Sequence, residues 1–405
     1  MRAPIFYGWW IVVACLVIAI LSWGLGVFGA GVSLHAITQS RGLSVGSVST
    51  AIMASGIIFA IGSVFVGPAI DRYGPRPVMA LGALMMAAGL ALIGQVQVLW
   101  HAYAAFTLSG LGNACLSVTA ITAAISPWFE RHQGRAMSSA MLGASIGGMS
   151  STPILIFSID RIGFPNTMLY SAGLLLMIVL PLALFVLKKN PAELGLYPDG
   201  EKPDAKNVQE PPRSWSRAQA LRTAAFISLV VAFSLGLGVQ VGFLTHHVTL
   251  AVPSLGASGA AFIVSLTAIA AFVGRVALAR WADQIDLRVT SAAVLAVAAV
   301  SLAAVAAFPI AWVLVSASIV YGLTTGNVTT LSPIIVRQEF GAAAFGAING
   351  VAWMCIGIAC ALGPALFGWL YDYFGGYGTA LWIAAALDLI AAAVVYLGRP
   401  KQALS

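Results

Sequence analysis

A chain of 405 residues that is 60% hydrophobic and only 8% charged, with a mean hydropathy of +0.95, falls far outside the composition of soluble domains. The formal charge of +7 is carried by few ionisable residues scattered between apolar runs, which suits an anionic lipid leaflet and excludes nucleic acid as a partner. Cys15, Cys115, Cys355 and Cys360 fall inside apolar runs without metal-ligand spacing, so they read as packing residues, neither metal ligands nor disulfides.

Apolar stretches of roughly 18 residues or more, enough to cross a hydrocarbon core of about 30 Å, recur along the whole length. In chain order the pattern predicts spans at 9–34, 47–69, 77–95, 99–125, 136–158, 165–187, 222–247, 257–279, 289–308, 310–335, 343–370 and 377–397. The first is too long for a signal peptide and lacks a small-residue cleavage site, so it is expected to stay as a span. The fourth to sixth are richer in Gly and Ser, as helices lining a polar path are. Between the sixth and seventh lies the long polar segment 188–221, rich in Lys, Pro and Glu, which reads as a flexible loop with a short amphipathic helix near Trp215, capped by Ser214 or Ser216.

Under this topology every Lys and Arg except Arg41, Arg161 and Arg275 falls on one side of the membrane. The asymmetry puts both termini and the central loop in the cytoplasm, in a cytoplasmic (inner) membrane. The two halves also echo each other. Gly67 to Arg76 follows the second span and Ala279 to Arg288 the eighth; Pro153 to Gly163 in the fifth is mirrored by Pro364 to Gly375 in the eleventh. The expected fold is an all-α membrane protein of twelve transmembrane helices in two pseudo-symmetric six-helix bundles, residues 1–187 and 222–405, around a central path.

The segment Gly67-Pro-Ala-Ile-Asp71-Arg72-Tyr-Gly74-Pro-Arg76 resembles the cytoplasmic signature of the major facilitator superfamily, G-x-x-x-D-R-x-G-x-R. The second copy keeps Asp283 and Arg288 but has Gln284 and Asp286 where the arginine and glycine stand. The resemblance implies a gating role for Gly67, Asp71, Arg72, Gly74, Arg76, Asp283 and Arg288. The residues support it: Asp71 and lipid headgroups can satisfy the arginines, and the glycines permit close approach. Within the superfamily the chain is similar to the monocarboxylate transporter and oxalate:formate antiporter branch, through Phe6-Tyr-Gly-Trp-Trp10, Pro127-Trp-Phe-Glu-Arg-His-Gln-Gly-Arg-Ala-Met137 and Arg275. In that branch the arginine of the eighth span binds the substrate carboxylate. The chain departs from the branch at Ala271, where an aspartate accompanies that arginine, at Val27-Phe28-Gly29, where a lysine is found, and at Ala352, where exchangers carry a second basic residue. The exchangers' aromatic cage is also poorly matched by Val118, Thr325 and Thr329. One cationic centre instead of two points to a monoanion.

Arg275 stands alone as a basic residue inside a predicted span, and a guanidinium in hydrocarbon costs roughly 2.5–3.5 kcal/mol on insertion scales. Either a substrate carboxylate in a bidentate fork or a permanent partner, a buried acid or a set of carbonyls, would offset it. Candidate partners in substrate binding are Asn113 and Asn327, in matching Gly-Asn pairs of the fourth and tenth spans, with Thr325, Thr329 and Tyr321, then Asn349 and Trp353 four residues apart, and Gln240. Amides at duplicated positions can equally satisfy each other or a carbonyl. His35 and Asp388 are the candidates for a proton-linked role, with an interfacial histidine and a neutral structural carboxyl as the alternatives. No metal site and no cofactor is expected beyond protons as a coupling ion. No Walker-type loop and no catalytic set speaks for an ATP-driven pump or an enzyme. The resulting expectation is proton-linked secondary transport of a small lactate- or pyruvate-like monocarboxylate by alternating access, in a functional monomer. An exchanger or exporter of larger organic anions and a low-flux sensor are the alternatives.

Overall fold

The structure is a computed structural model, and it describes residues 6–129, 132–200, 217–281, 285–340 and 345–399. Among these residues it is built from helices and turns. In chain order they are α1 (Gly8–Ser22), α2 (Gly29–Arg41), α3 (Val45–Tyr73), α4 (Pro75–Gly94), α5 (Leu99–Ala114), α6 (Val118–Ile125), α7 (Gln133–Ile162), α8 (Phe164–Pro181), the short α9 (Arg217–Leu221), α10 (Ala224–Trp281), α11 (Leu287–Ala307), α12 (Ala311–Phe340), α13 (Phe345–Phe374) and α14 (Gly378–Leu397).

Eleven of the resulting segments are long and apolar enough to cross a membrane. One of them, Ala224–Leu278, has 55 residues, which at 1.5 Å per residue is more than twice the thickness of a bilayer core. Its helix is interrupted at Gly256, whose φ of 69° is a conformation only glycine adopts without strain, three residues after Pro253. The segment therefore has the length and the break for two crossings, where the sequence places the seventh and eighth spans.

Three of these spans are irregular within the bilayer-length run. Between α1 and α2 the chain makes a π-helical turn, Trp23–Phe28, the fourth span breaks at residues 115–117 between α5 and α6, and the sixth ends in a second π-helical turn, Leu182–Val186. Irregular backbone at membrane depth is tolerated where protein or a water-filled cavity covers it.

The chain divides into two compact units. Unit 1 comprises Met1–Leu43 and Ala54–Val208, and unit 2 comprises Ser44–Met53 and Gln209–Ser405. The first turns of α3 thus group with unit 2 although they precede most of unit 1 in sequence. Each unit repeats the same pairings. In unit 1, α1 packs on α7, α4 on α8, and α4 on α5; in unit 2, α10 packs on α13, α11 on α14, and α11 on α12. The first of these pairings is made in the same way twice. A Cβ on Gly143 would lie 2.2 Å from the Leu16 carbonyl, and one on Gly363 would lie 2.0 Å from the Gly238 carbonyl. Without a hydrophobic drive between helices in lipid, such backbone-to-backbone approach is what small residues supply.

Candidate functional site

Arg275 projects from the second arm of α10, at a point where α10 and α12 touch through their backbones. A Cβ on Gly326 would lie 2.2 Å from the Ala271 carbonyl and 3.4 Å from Arg275 Cβ. The absence of that Cβ lets the arginine lie against α12, where its Nε donates to the Gly326 carbonyl at 3.4 Å. The same carbonyl accepts from Thr329 Oγ1 at 3.1 Å and Thr330 Oγ1 at 2.9 Å. Thr329 and Arg275 therefore meet at one backbone oxygen, with Arg275 only partly buried.

The other α12 candidates turn to their own helix. Thr325 Oγ1 donates to the Tyr321 carbonyl at 3.0 Å, and Asn327 Nδ2 to the Leu323 carbonyl at 3.0 Å. Asn327 Oδ1 is buried without a partner among the described residues. Asn327 lines a largely apolar pocket with Gly274, Ala277, Leu278, Leu323, Ile285 and Thr290, on a stretch of α10 that includes the neighbours of Arg275 but not Arg275 itself.

Tyr321 and Gln240 belong to the interior of unit 2 in this conformation. Tyr321 is 2% exposed, with its ring centroid 4.7 Å from that of Phe243, and Gln240 is buried as well. Neither is open to a ligand here, because Phe243 on the same helix as Gln240 covers the tyrosine. Asp388 on α14 is 1% exposed, and both its oxygens lack a partner among the described residues. A buried carboxylate so placed would be costly, so its setting suits the neutral acid serving structure. His35 on α2 has a buried Nδ1 with no partner among the described residues. Asn349 and Trp353 lie one turn apart on α13; Trp353 is 37% exposed, and Asn349 Oδ1 is buried without a partner among the described residues.

In unit 1, Asn113 packs on the π-helical turn: a Cβ on Gly26 would lie 2.9 Å from its Nδ2. The π-helical turn thus lies against one of the predicted amides, two residues before the break in the fourth span. Composition offers only a faint signal for this, namely Gly24 and Gly26 in the middle of an apolar run.

The signature loop of unit 1 works through backbone. Gly74, with φ of 85°, joins α3 to α4 in a conformation that requires glycine, and its N–H donates to the Ile70 carbonyl at 2.7 Å. Gly67 has no such need, since a Cβ there would meet only Thr119 Cγ2 at 3.8 Å. Asp71 is exposed, and Arg72 lies 5.1 Å from the centre of the Tyr73 ring. Arg76 Nε donates to the Leu187 carbonyl at 2.6 Å, and Lys189 Nζ donates to the Arg72 carbonyl at 3.3 Å. The Tyr7 hydroxyl donates to the Val186 carbonyl at 2.9 Å, and Trp128 Nε1 to the Lys188 carbonyl at 3.4 Å. The expectation of a flexible loop is corrected at its start, where three side-chain donors converge on consecutive carbonyls at 186–188 and Lys189 reaches back to the signature loop. Trp215 and the expected caps Ser214 and Ser216 lie outside the described residues, which resume with the short α9.

The two motifs that carry the branch resemblance meet in the same place. Ring centroids of Tyr7 and Trp128 are 5.5 Å apart, those of Trp9 and Phe129 are 5.2 Å apart, and the Arg135 guanidinium lies 5.5 Å from the centre of the Trp9 ring.

In the second copy of the signature Asp283 lies outside the described residues. Arg288 is not a surface loop charge. It is 3% exposed, its Nε and Nη2 donate to the Glu339 carboxylate at 2.6 and 2.9 Å, and it also donates to Ser228 Oγ and to the Ala225 and Val395 carbonyls. Its partner Glu339 is 51 residues away, which is why the loop pattern did not reveal it. Asp286 heads α11 and accepts from the Arg288 and Val289 N–H groups, both at 3.0 Å, and from Arg399. Partial burial works against its charge, but the Val289 N–H, the Arg399 guanidinium and the Arg288 N–H together hold its carboxyl below the usual carboxylate range.

Among the described residues no group of His, Cys, Asp and Glu is arranged to hold a metal ion.

Comparison with known proteins gives the setting for this geometry. Monocarboxylate transporter 13 of Bos taurus is 28% identical over 345 residues, 83% of this chain and 76% of its own length. The oxalate:formate antiporter of Oxalobacter formigenes is 26% identical over 197 residues, 49% of this chain and 44% of its own. A solved D-xylose-proton symporter superposes with a TM-score of 0.74 at 15% identity, covering 98% of each chain, which establishes a shared fold. The family model for the Major Facilitator Superfamily matches residues 13–364 and 254–405. The chain is an integral membrane protein of this transporter superfamily and not an enzyme: it belongs to the Major Facilitator Superfamily.

Proposed function

We propose that this chain carries a small organic monocarboxylate, lactate- or pyruvate-like, across the membrane together with a proton, by alternating access. The observation that carries the reading is Arg275, a guanidinium within a membrane-spanning arm of α10, resting on the Gly326 carbonyl where the Thr329 hydroxyl also points. A carboxylate offers a guanidinium two parallel charge-assisted hydrogen bonds, a far stronger partner than a carbonyl. Lysine cannot reproduce that fork. The relatives named monocarboxylate transporter support the same substrate class. Pairing with Arg275 keeps the substrate carboxylate ionised, so a coupled proton needs a separate carrier, for which His35 and Asp388 are the candidates. Rocking of one half of the repeat against the other around a midplane site is the general means by which such repeats alternate. The placement of Lys and Arg supports cytoplasmic termini in an inner membrane, and we read the working unit as a monomer.

A second reading, exchange or export of larger organic anions, is favoured by one observation. Trp353 is partly exposed one turn from Asn349 on α13, where an aromatic and an amide could meet an organic side chain.

The test is uptake of labelled lactate into proteoliposomes with and without an imposed proton gradient, for the wild type and Arg275→Lys. The expected result is gradient-dependent accumulation that falls at least about a hundredfold in the variant, the scale of one lost bidentate charge contact. Uptake retained in Arg275→Lys would remove the carboxylate clamp. Uptake seen only with a trapped counter-anion would favour the exchanger.

A further inference from the structure

The break in the fourth span leaves the two helix ends that meet there in unequal condition. At the end of α5 the turn takes up the carbonyls: the Leu116 N–H donates to the Asn113 carbonyl at 3.0 Å and the Ser117 N–H to the Ala114 carbonyl at 3.3 Å. At the start of α6 the first backbone bond runs from the Ile121 N–H to the Ser117 carbonyl at 2.9 Å. The N–H groups of Val118, Thr119 and Ala120 have no acceptor among the described residues. Ser117 heads α6 with extended backbone, φ −72° and ψ 175°, where a serine ordinarily accepts from the first N–H groups. It makes no such cap. The residue is 5% exposed, and its hydroxyl is buried without a partner among the described residues.

The depth of this helix end matters. The span runs from Leu99 to Trp128, and Val118 stands about 15 Å along the axis from its last residue, near the middle of a bilayer core. Unpaired N–H groups are costly in hydrocarbon. Val118 and Thr119 are nevertheless exposed, so the helix start is open and not sealed in protein. Asn113, on the last turn of α5, adds a partly exposed amide that is also unpartnered among the described residues. The repeat does not demand the break, since α12 runs unbroken through Asn327, the matching amide of unit 2.

A freed helix start carries about half a positive charge, with its N–H donors pointing outward along the axis. Because the facing carbonyls of α5 are occupied, the break presents donors and little to attract a cation. Adjacent N–H groups, a serine hydroxyl and an amide suit the oxygens of a small carboxylate.

We propose that the start of α6, with Ser117 and Asn113, is a carboxylate subsite of unit 1, which holds its anion by N–H groups and the helix dipole without a cation. It rests on the reading of a small carboxylate as substrate and adds a second recognition element to that reading.

The test uses the full chain in lipid nanodiscs with Thr119→Cys, a reporter thiol on the second residue of α6 that leaves the backbone donors in place. Its modification by iodoacetamide, a neutral reagent, is followed by mass spectrometry. Acetate and lactate should slow the reaction saturably, and acetamide, of similar shape without the charge, should not. Val118→Pro removes one N–H at the position where a helix tolerates proline. It should raise the half-protecting acetate concentration at least about tenfold, the worth of one charge-assisted hydrogen bond, while Val118→Ala leaves it unchanged. Arg275→Lys should leave protection by acetate in place. Equal protection by acetate and acetamide, or no difference between Val118→Pro and Val118→Ala, would overturn the subsite. So would protection that disappears in Arg275→Lys, which would then originate at that arginine. Protection by acetate and not by lactate would keep the subsite and sink the substrate reading. If Thr119→Cys does not fold, the native Cys115 in the same break reports instead. If Val118→Pro does not fold, Asn113→Leu decides, and unchanged protection overturns the proposal.

Discussion

The two copies of the signature loop spend the same residue type differently. Arg76 in the first copy donates to a single carbonyl of the segment after α8, at the edge of unit 1. Arg288 in the second copy is sealed inside unit 2, where a carboxylate, a hydroxyl and two carbonyls take up its donors. Duplication preserved an arginine at corresponding positions, but neutralisation of its charge was solved locally each time. The first solution ties a loop to the next segment of chain and can be undone at the surface. The second knits α10, α11, α12 and α14 into one body. Repetition in sequence is therefore a guide to fold and a poor guide to role.

The comparison can be broken most forcefully at Arg288. Arg288→Met leaves the partly buried Glu339 without its cation, a loss of up to about 3–5 kcal/mol, which should appear as aggregation or a thermal midpoint lowered by many degrees in detergent. Replacing Glu339 by leucine in the same chain should recover much of that loss, because a pair of apolar groups of similar volume avoids the desolvation cost. A variant as stable as wild type with Glu339 intact would show that the network does not hold unit 2 together.

Arg76→Ala should cost less, about 1–2 kcal/mol, the scale of a hydrogen bond from a charged group at a partly open site. Its more telling effect is expected in the chain beyond Leu187, where limited proteolysis within residues 188–200 should accelerate while cleavage elsewhere does not. Unchanged proteolysis would mean that Tyr7 and Trp128 suffice to hold that segment.

The smallest effect is expected at Asp286. Asp286→Ala removes the cap of α11 and should cost about 1 kcal/mol at neutral pH. Because the folded state holds this carboxyl below its usual range, its contribution is complete above that range and is lost as pH falls through the folded value. Thermal midpoints of wild type and variant should therefore converge on acidification. A gap that persisted at low pH would point to packing and not to the charge.

Much of this was legible in the sequence. Run length and hydropathy located the spans, because crossing a bilayer leaves little freedom in length or composition. The segment 222–279 was separable into two spans by its composition, although its helix is interrupted only at Gly256. Arg275 and the α12 threonines were visible as polar groups in apolar runs, and Thr329 does share an oxygen with the arginine. Spacing on one helix could not say which polar groups turn inward to their own backbone, as Thr325 and Asn327 do. Nor could it reveal partners fixed by tertiary packing, such as Glu339 for Arg288, or Ser49 for His246 at 197 residues' separation. The start of the central loop read as loose because it is polar, yet its order comes from backbone carbonyls, which composition does not record.

The π-helical turn at Trp23–Phe28 has a consequence for how the first span tolerates change. A π turn takes up one residue more than the α-helical turn it replaces, so α1 and α2 keep nearly the faces they would have in a helix one residue shorter. Losing a single residue from 23–28 would let the span close into uninterrupted α-helix, with α1 still on α7 and His35 and the rest of α2 among the same neighbours. The same deletion elsewhere in a membrane helix would turn everything beyond it by about 100° about its axis. What the first span would give up is local, the widened turn whose Gly26 lies against Asn113.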